Sequence, residues 1–123
     1  MKLNLKELIS KLVNAPIVIE EGTSGIWTYR KWSDGTAECW GRKSESVSCI
    51  VISSPWIRGT MSSTSFPSGL FISTPTVLAS GFGAEWVSLG TTTSTSISDM
   101  YIYTVATGTA TRYVWLYAIG KWK

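Results

Sequence analysis

The sequence predicts an all-β protein, an antiparallel β-sandwich preceded by a short N-terminal α-helix. The 123 residues include seven tryptophans and five tyrosines, and only 15% of the residues are charged. Aromatic side chains suit a pleated, half-buried surface. Turn signals also recur about every ten residues, which is the spacing of strands in a sandwich or barrel. We therefore expect two parts: a helix within residues 1–15, serving for oligomerisation or attachment, and a β-sandwich domain over residues 16–123.

The segment "NLKELISKLVN", residues 4–14, predicts the helix. Asn4 can cap its first turn, and Glu7 stands three residues later, as in a capping box. Apolar side chains recur at helical spacing on one side: Leu5, Leu8, Ile9 and Leu12. Pro16 ends the segment, because the residue before a proline disfavours helical backbone. So short a helix needs a partner for its apolar side. That partner is either the body of its own domain or copies of itself in a bundle.

The stretch "WTYRKWSDGTAECWG", residues 27–41, predicts a hairpin around Asp34-Gly35, a strong turn signal between two β-like runs. With those two residues as the loop, Lys31 lies opposite Glu38. The same register sets two further pairs on that face: Tyr29 with Trp40, and Trp27 with Arg42. Asp34 is then a turn residue and Glu38 a cross-strand partner. A neighbouring lysine lowers the pKa of a carboxyl group, whereas a general acid needs its pKa raised.

Further segments read as strands, separated by polar connections. The strands are expected at residues 46–53, 69–73 and 76–80, twice within 81–107, and at 112–122. Residues 59–67 read as a polar connection, and the Thr-rich stretch 91–96 as a strand edge or loop. The last strand is apolar on both faces, so we expect it to be covered on both sides.

The composition removes several kinds of site. The chain has no histidine, the commonest general base and metal ligand. Its two cysteines, Cys39 and Cys49, are too few for a zinc site. We expect two half-buried free thiols in a reducing cytosol, with a disulfide as the alternative. No phosphate loop, nucleophile elbow or metal-ligand spacing occurs. We therefore predict no enzyme activity, no cofactor and no bound metal.

Neither a membrane nor a nucleic acid is an expected partner. No apolar run approaches the ~20 residues that a spanning helix needs. The N-terminal residues do not form a signal peptide, because charged side chains interrupt them. The net charge of +3 is mild, and the basic residues form no stripe. The expected place of synthesis and assembly is the cytosol.

Two stretches carry a resemblance to a known group. They are "GTSGIWTYRKWSDGTAECWGR" at residues 22–42 and "YVWLYAIGKWK" at residues 113–123. The matching residues are Trp27, Tyr29, Lys31, Trp32, Gly35, Ala37, Glu38, Trp40, Gly41, Trp115, Ala118, Ile119, Gly120 and Trp122. In these the chain resembles small tail-associated proteins of phages and prophages in Firmicutes. Between the two stretches, residues 66–80 and 86–107 are similar in strand pattern to H-type-lectin-like sandwiches.

The resemblance implies a virion structural protein, a tail-fibre or baseplate-associated β domain. It implies a homotrimer in the virion tail, assembled in the bacterial host cytoplasm, with other phage tail proteins as partners. The function we expect first is display on the tail with contact to a host-surface polysaccharide, in which weak sites repeated on one assembly gain avidity. The candidate carbohydrate-binding residues are Trp86, Asp99, Tyr101 and Arg112. Each has a structural alternative: the two aromatic residues in the core or an interface, Asp99 in a turn, and Arg112 on a solvated strand edge.

Two other functions remain open. One is a free carbohydrate-binding module, which predicts a monomer. The other is a glycan depolymerase, for which carboxylates such as Glu38 or Glu85 would do the chemistry without histidine. The eight acidic residues form no suggestive pair in the sequence, so we rank the enzyme last.

Overall fold

The described fold consists of antiparallel β-strands. The computed structural model describes residues 4, 5, 8, 11 and 14–123. Its strands are β1 (Val18–Ser24), β2 (Trp27–Trp32), β3 (Thr36–Ser53), β4 (Trp56–Met61), β5 (Thr64–Ser65), β6 (Thr76–Ser80), β7 (Trp86–Thr92), β8 (Ser96–Thr104) and β9 (Gly108–Lys121). Every pairing among them is antiparallel. The all-β antiparallel class is therefore confirmed.

The predicted N-terminal helix falls mostly outside the described residues, and no helix is among the elements of the described fold. Two backbone hydrogen bonds span four residues there, from the Leu8 amide to the Asn4 carbonyl at 3.1 Å and from the Ala15 amide to the Lys11 carbonyl at 3.0 Å. The division of the chain at residue 15 stays a prediction.

The long strand β3 organises the sheet, because its 18 residues reach across two groups of strands. Its first part lies between β2 and β9, with β1 beyond β2 and β6 beyond β9. Its last residues pair with β4, and β8 continues the sheet from β4 to β7 and β5. The sheet therefore curls into a half-barrel. The predicted sandwich is corrected, because the single strand β3 pairs with members of both groups of strands, which the two layers of a sandwich would keep apart.

The core lies on the inner side of the curl, where alternate residues of each strand point. Its buried members are Trp27, Ala37, Cys39, Val47, Cys49, Met61, Phe66, Leu70, Phe71, Ile97, Met100, Ile102, Val114, Leu116 and Ala118. The two cysteines are buried and free. The two lie ten positions apart on one strand, roughly 30 Å at strand spacing. A disulfide needs Cα atoms within about 7 Å, so this geometry leaves two separate thiols.

The tryptophan-rich hairpin forms, but its register differs by one residue from the prediction. Lys31 lies opposite Ala37, and Arg30 lies opposite Glu38. The predicted pairs Lys31–Glu38, Tyr29–Trp40 and Trp27–Arg42 are therefore wrong. A shift of one residue moves every side chain of a strand to the other face. Trp27 consequently faces the core, whereas Trp40 faces outward opposite Thr28.

The remaining segments follow the prediction in part. Residues 46–53 belong to β3, and residues 76–80 form β6 as expected. Residues 69–73 are a loop, not a strand, and the expected polar connection 59–67 contains the end of β4 and all of β5. Residues 91–96 end β7 and begin β8 through a turn. The expectation that both faces of the last strand are covered is not met, because Trp115 on its outer face is 42% exposed.

Candidate functional site

Four aromatic side chains gather on the outer side of β4, β7 and β8. We call Trp56, Trp86, Tyr101 and Tyr103 the aromatic patch. The rings of Trp86 and Tyr103 stack with centroids 5.8 Å apart and planes 7° apart. Trp56 meets Tyr103 edge-on, with centroids 6.3 Å apart. Strand pairing places these rings together, because Trp86 lies directly opposite Tyr103.

The aromatic patch combines open ring surface with polar groups. Trp86 is 47% exposed although one partner ring stacks on it, and Trp56 is 53% exposed. The Arg58 guanidinium lies over the Tyr101 ring, 4.4 Å from its centroid. Exposed Thr60 and Ser88 lie opposite Tyr101 on the two neighbouring strands. Tyrosine and tryptophan rings of this kind offer an apolar surface with a polar tip, which suits a sugar ring.

The structure brings two of the four predicted site residues together. Trp86 and Tyr101 share the aromatic patch. Asp99 lies two residues before Tyr101 on β8, is exposed, and has φ 56. Aspartate is one of the few residue types that adopt this left-handed conformation. Asp99 packs closely on Gly90, where an added Cβ would lie 2.5 Å from the Asp99 Cβ.

Arg112 lies on the inner side of the sheet, away from the aromatic patch. Only 8% of it is exposed, so the solvated strand edge expected for it is wrong. Its guanidinium forms an ion pair with the Glu85 carboxylate. It also donates to the Gly108 carbonyl at 3.2 Å and the Val47 carbonyl at 3.4 Å. The side chain is tied to the protein itself by each of these contacts.

The hairpin carboxylate Glu38 is held by two neighbours on the outer side of the sheet. Tyr117 donates its hydroxyl hydrogen to Glu38 Oε2 at 2.5 Å, and the Trp32 indole donates to Oε1 at 3.3 Å. The hydrogen bond to Glu38, followed by burial, raises the pKa of Tyr117 to about 12. Two carboxylates were considered for a depolymerase. Glu38 accepts hydrogen bonds from Tyr117 and Trp32 on the outer side of the sheet, and Glu85 forms an ion pair with Arg112 on the inner side.

Metal and thiol chemistry find little support in the part of the chain that the structure describes. There, no three side chains of histidine, cysteine, aspartate or glutamate form a group that could hold a metal ion. Burial, and then the nearby Glu38 charge, raise the pKa of the Cys39 thiol to about 12, which keeps it protonated and unreactive. Among the same residues, no helix is long and apolar enough to cross a membrane.

Sequence reasoning missed three members of this region: Trp56, Arg58 and Tyr103. The alternation of Tyr101 and Tyr103 along one strand was a usable signal, because residues two apart share a face. Trp56 and Arg58 had no such signal, since they lie between the expected strand at 46–53 and the expected connection at 59–67, where the sequence predicts no strand.

Comparison with known proteins finds a likeness at the level of fold alone. No protein-family model and no curated protein matches the sequence. A solved structure of an N-truncated R1-type pyocin tail fibre matches 97% of this chain and 98% of its own, with a TM-score of 0.55 and 11% identity. A larger R1 pyocin fibre fragment from P. aeruginosa matches 97% of this chain but 32% of its own, with a TM-score of 0.49 and 14% identity. The first match shows a shared fold from end to end.

Proposed function

We propose that this chain is a structural protein of a phage tail or phage-tail-like particle, as a tail-fibre or baseplate-associated β domain. The observation that carries the proposal is the likeness in fold to the R1-type pyocin tail fibre over nearly the full length of both chains. Fold alone does not determine function. The resemblance of the hairpin and the last strand to tail-associated phage proteins of Firmicutes is a second, sequence-based support.

The proposed form is a homotrimer in the virion tail, assembled in the host cytoplasm beside other tail proteins. Large apolar side chains stay exposed on the outer side around β9, among them Leu78, Phe82, Trp115 and Ile119. Contiguous exposed apolar surface is uncommon on a soluble monomer and marks interaction sites. Contact between copies would cover this surface.

The proposed action is display and binding, without catalysis. The aromatic patch is the surface that we assign to a host polysaccharide, because its tryptophan rings are open to solvent and hydroxyl groups adjoin them. Repetition of a weak site on a trimeric fibre would raise the overall affinity without new contacts.

The experiment uses tail particles from the source strain, carrying the native chain, the Trp86→Ala variant or the Ile19→Ala variant. Antibodies against the chain, detected with gold in electron microscopy, report its place on the particle. Adsorption of the particles to host cells measures the contribution of the aromatic patch to binding. Ile19 is the control, because it is an exposed apolar residue of β1, which pairs with β2 and lies outside both the aromatic patch and the apolar surface around β9.

We expect gold on the tails of all three particles and weaker adsorption for Trp86→Ala alone, by roughly tenfold if the lost stacking contact contributes about 1.4 kcal/mol. Chain found only outside the particles would overturn the structural role. Equal adsorption by all three particles would remove the patch assignment and leave the structural role standing.

A further inference from the structure

We propose a second binding site, a cleft beside the middle of β3 that takes an anionic sugar, meaning a pyranose ring that carries a carboxylate or phosphate group. The cleft has a volume of about 460 Å³ and is lined by the β1–β2 turn, the middle of β3 and residues 63–66. We call it the β3 cleft. The proposal deepens the proposed function by naming a class of ligand. It rests on the proposed function, because it takes that ligand to be part of a host glycan.

The cleft exists because the middle part of β3 has no neighbouring strand along one of its edges. β2 pairs with β3 only as far as Gly41, and β4 joins only at Ile50. Between them, the strand pairs with β9 alone. The β1–β2 turn packs so closely here that a Cβ at Gly41 would lie 2.2 Å from the Ile26 carbonyl oxygen. The opening is thus built into the sheet, and its volume is in the usual range for small-molecule sites.

Two aromatic residues of the core, Trp27 and Phe66, line the cleft. Their ring centroids are 5.6 Å apart. The Trp27 indole donates to the Ser65 carbonyl at 2.8 Å, which fixes the orientation of the ring. Serine and threonine side chains surround this apolar floor, among them Ser24, Ser44 and Thr64. An apolar surface bordered by hydroxyl groups matches a sugar ring, which has a C–H face and an equatorial belt of hydroxyls.

The charge of the cleft selects an anion. Arg42 and Lys43 line it, and no carboxylate does. Among the described residues, neither forms a salt bridge. The Arg42 guanidinium lies over the Tyr113 ring, 5.1 Å from its centroid. Stacking uses the flat face of a guanidinium and leaves its N–H groups at the edge for a carboxylate or phosphate.

Lys43 is a fixed positive charge at the same place. Its ammonium donates to Thr64 Oγ1 at 2.7 Å, Ser62 Oγ at 3.0 Å and the Ser63 carbonyl at 3.3 Å, and also to the Ser62 carbonyl. All of these acceptors are neutral. The carboxylate of Glu45 lies nearby and accepts from the Ser62 amide at 2.9 Å. Lys43 therefore positions residues 62–64 and contributes positive potential, while Arg42 makes the direct contact with the ligand.

The test titrates the full chain with glucuronate, glucose 6-phosphate and glucose, followed by NMR. We expect both anionic sugars to shift the backbone amides of Ser24, Ser44 and Thr64. Glucose should bind roughly tenfold more weakly, because it cannot form the charge-assisted hydrogen bond. The two anionic probes show whether the site prefers a carboxylate or a phosphate. Weaker binding at higher salt is a further expected result.

Two variants locate the site, and one serves as a matched control. Arg42→Gln should weaken binding of the anionic sugars roughly tenfold. Ser44→Glu places a negative charge in the cleft and should abolish their binding without removing any group that the fold uses. Arg30→Gln is the control, because the Arg30 guanidinium also lies over an aromatic ring, that of Trp40 at 5.1 Å, and the residue lies outside both the cleft and the aromatic patch.

The proposal is overturned if neither anionic sugar shifts the cleft amides, if glucose binds as tightly, or if Arg30→Gln weakens binding as much as Arg42→Gln. The last result would mean that the sugars are attracted by the net positive charge of the protein and do not occupy a specific site. Gold labelling of the tails reports independently on the proposed function. Labelled tails without anionic-sugar binding would refute the cleft alone, and sugar binding without labelled tails would refute the tail function alone.

Discussion

At the scale of single residues, Arg112 shows how burial changes the role of a charged side chain. Its side chain is 10% exposed and that of its partner Glu85 14%. A buried charge is strongly unfavourable unless it is paired and hydrogen-bonded. Here the pair and two carbonyl acceptors meet that requirement. The side chain therefore stabilises the inner side of the sheet, and a sugar on the aromatic patch would not reach it.

We expect Arg112→Met to lower the free energy of unfolding by about 3–5 kcal/mol, because it leaves the Glu85 carboxylate buried without a partner. The double variant Arg112→Met/Glu85→Leu should recover most of that loss, since both charges are gone. Arg58→Met, an arginine on the outer side, should change stability by about 0.5 kcal/mol or less. Urea unfolding measures all three. Equal effects of Arg112→Met and Arg58→Met would contradict the structural role.

At the scale of elements, the chemistry of one loop sets the faces of the hairpin. The loop has three residues, Ser33 to Gly35, and Gly35 has φ 93. Hairpins with three-residue loops place a glycine of positive φ at this position. Asp34 Oδ1 accepts a hydrogen bond from the Thr36 amide at 2.9 Å. The Asp-Gly pair thus marks the place of the turn correctly, and the added residue in the loop shifts the register by one, which moves the side chains of one strand to the other face relative to those of its partner.

The backbone hydrogen bond from Thr36 holds the pKa of Asp34 below its ordinary value of 3.8. The folded state therefore releases the proton more readily than the unfolded state. The stabilisation is fully present above the unfolded pKa and is lost as pH falls through the folded pKa. We expect Asp34→Asn to be less stable than the native chain near pH 7, with a difference that shrinks toward about pH 2. Urea midpoints across this range check it. If the difference in stability between the two chains stayed constant down to about pH 2, the stabilising role assigned to the Asp34 carboxylate would be refuted.

At the scale of the whole molecule, the curl of the sheet leaves its outer side uncovered. Trp115 and Ile119 alternate with the buried residues of β9 and remain at the surface. Such residues lie inside most soluble monomers. The sequence predicts an apolar last strand covered on both sides, and a second copy of the chain is the cover that the proposed fibre supplies.

Light scattering of the full chain should give three times the mass of one chain at micromolar concentration. The same measurement on a chain lacking residues 1–14 tests the predicted N-terminal helix. Loss of the trimer, with an unchanged β-type circular dichroism spectrum, would assign bundling to that segment. A retained trimer would place the contact on the sheet. A full-length monomer would contradict the trimeric fibre and favour a single carbohydrate-binding module.

Several properties were determined by the sequence itself, because they depend on neighbouring residues. The alternation of apolar and polar side chains predicts strands, and it placed β6 and most of β9 correctly. Asp34-Gly35 located the hairpin turn, since turn residues act through their own backbone conformation. The prediction that Cys39 and Cys49 are free thiols also agrees with the structure, although both are fully buried and not half-buried as expected.

Only the tertiary structure decided which side chains share a surface. The register of the hairpin, the burial of Arg112 and the meeting of Trp56, Trp86 and Tyr103 all depend on pairing between strands far apart in the sequence. The curl of the sheet has the same origin, because β3 pairs with β2 and β9 in one part and with β4 in another. Local patterns do not encode such pairings, since each is set by what the whole core can bury together.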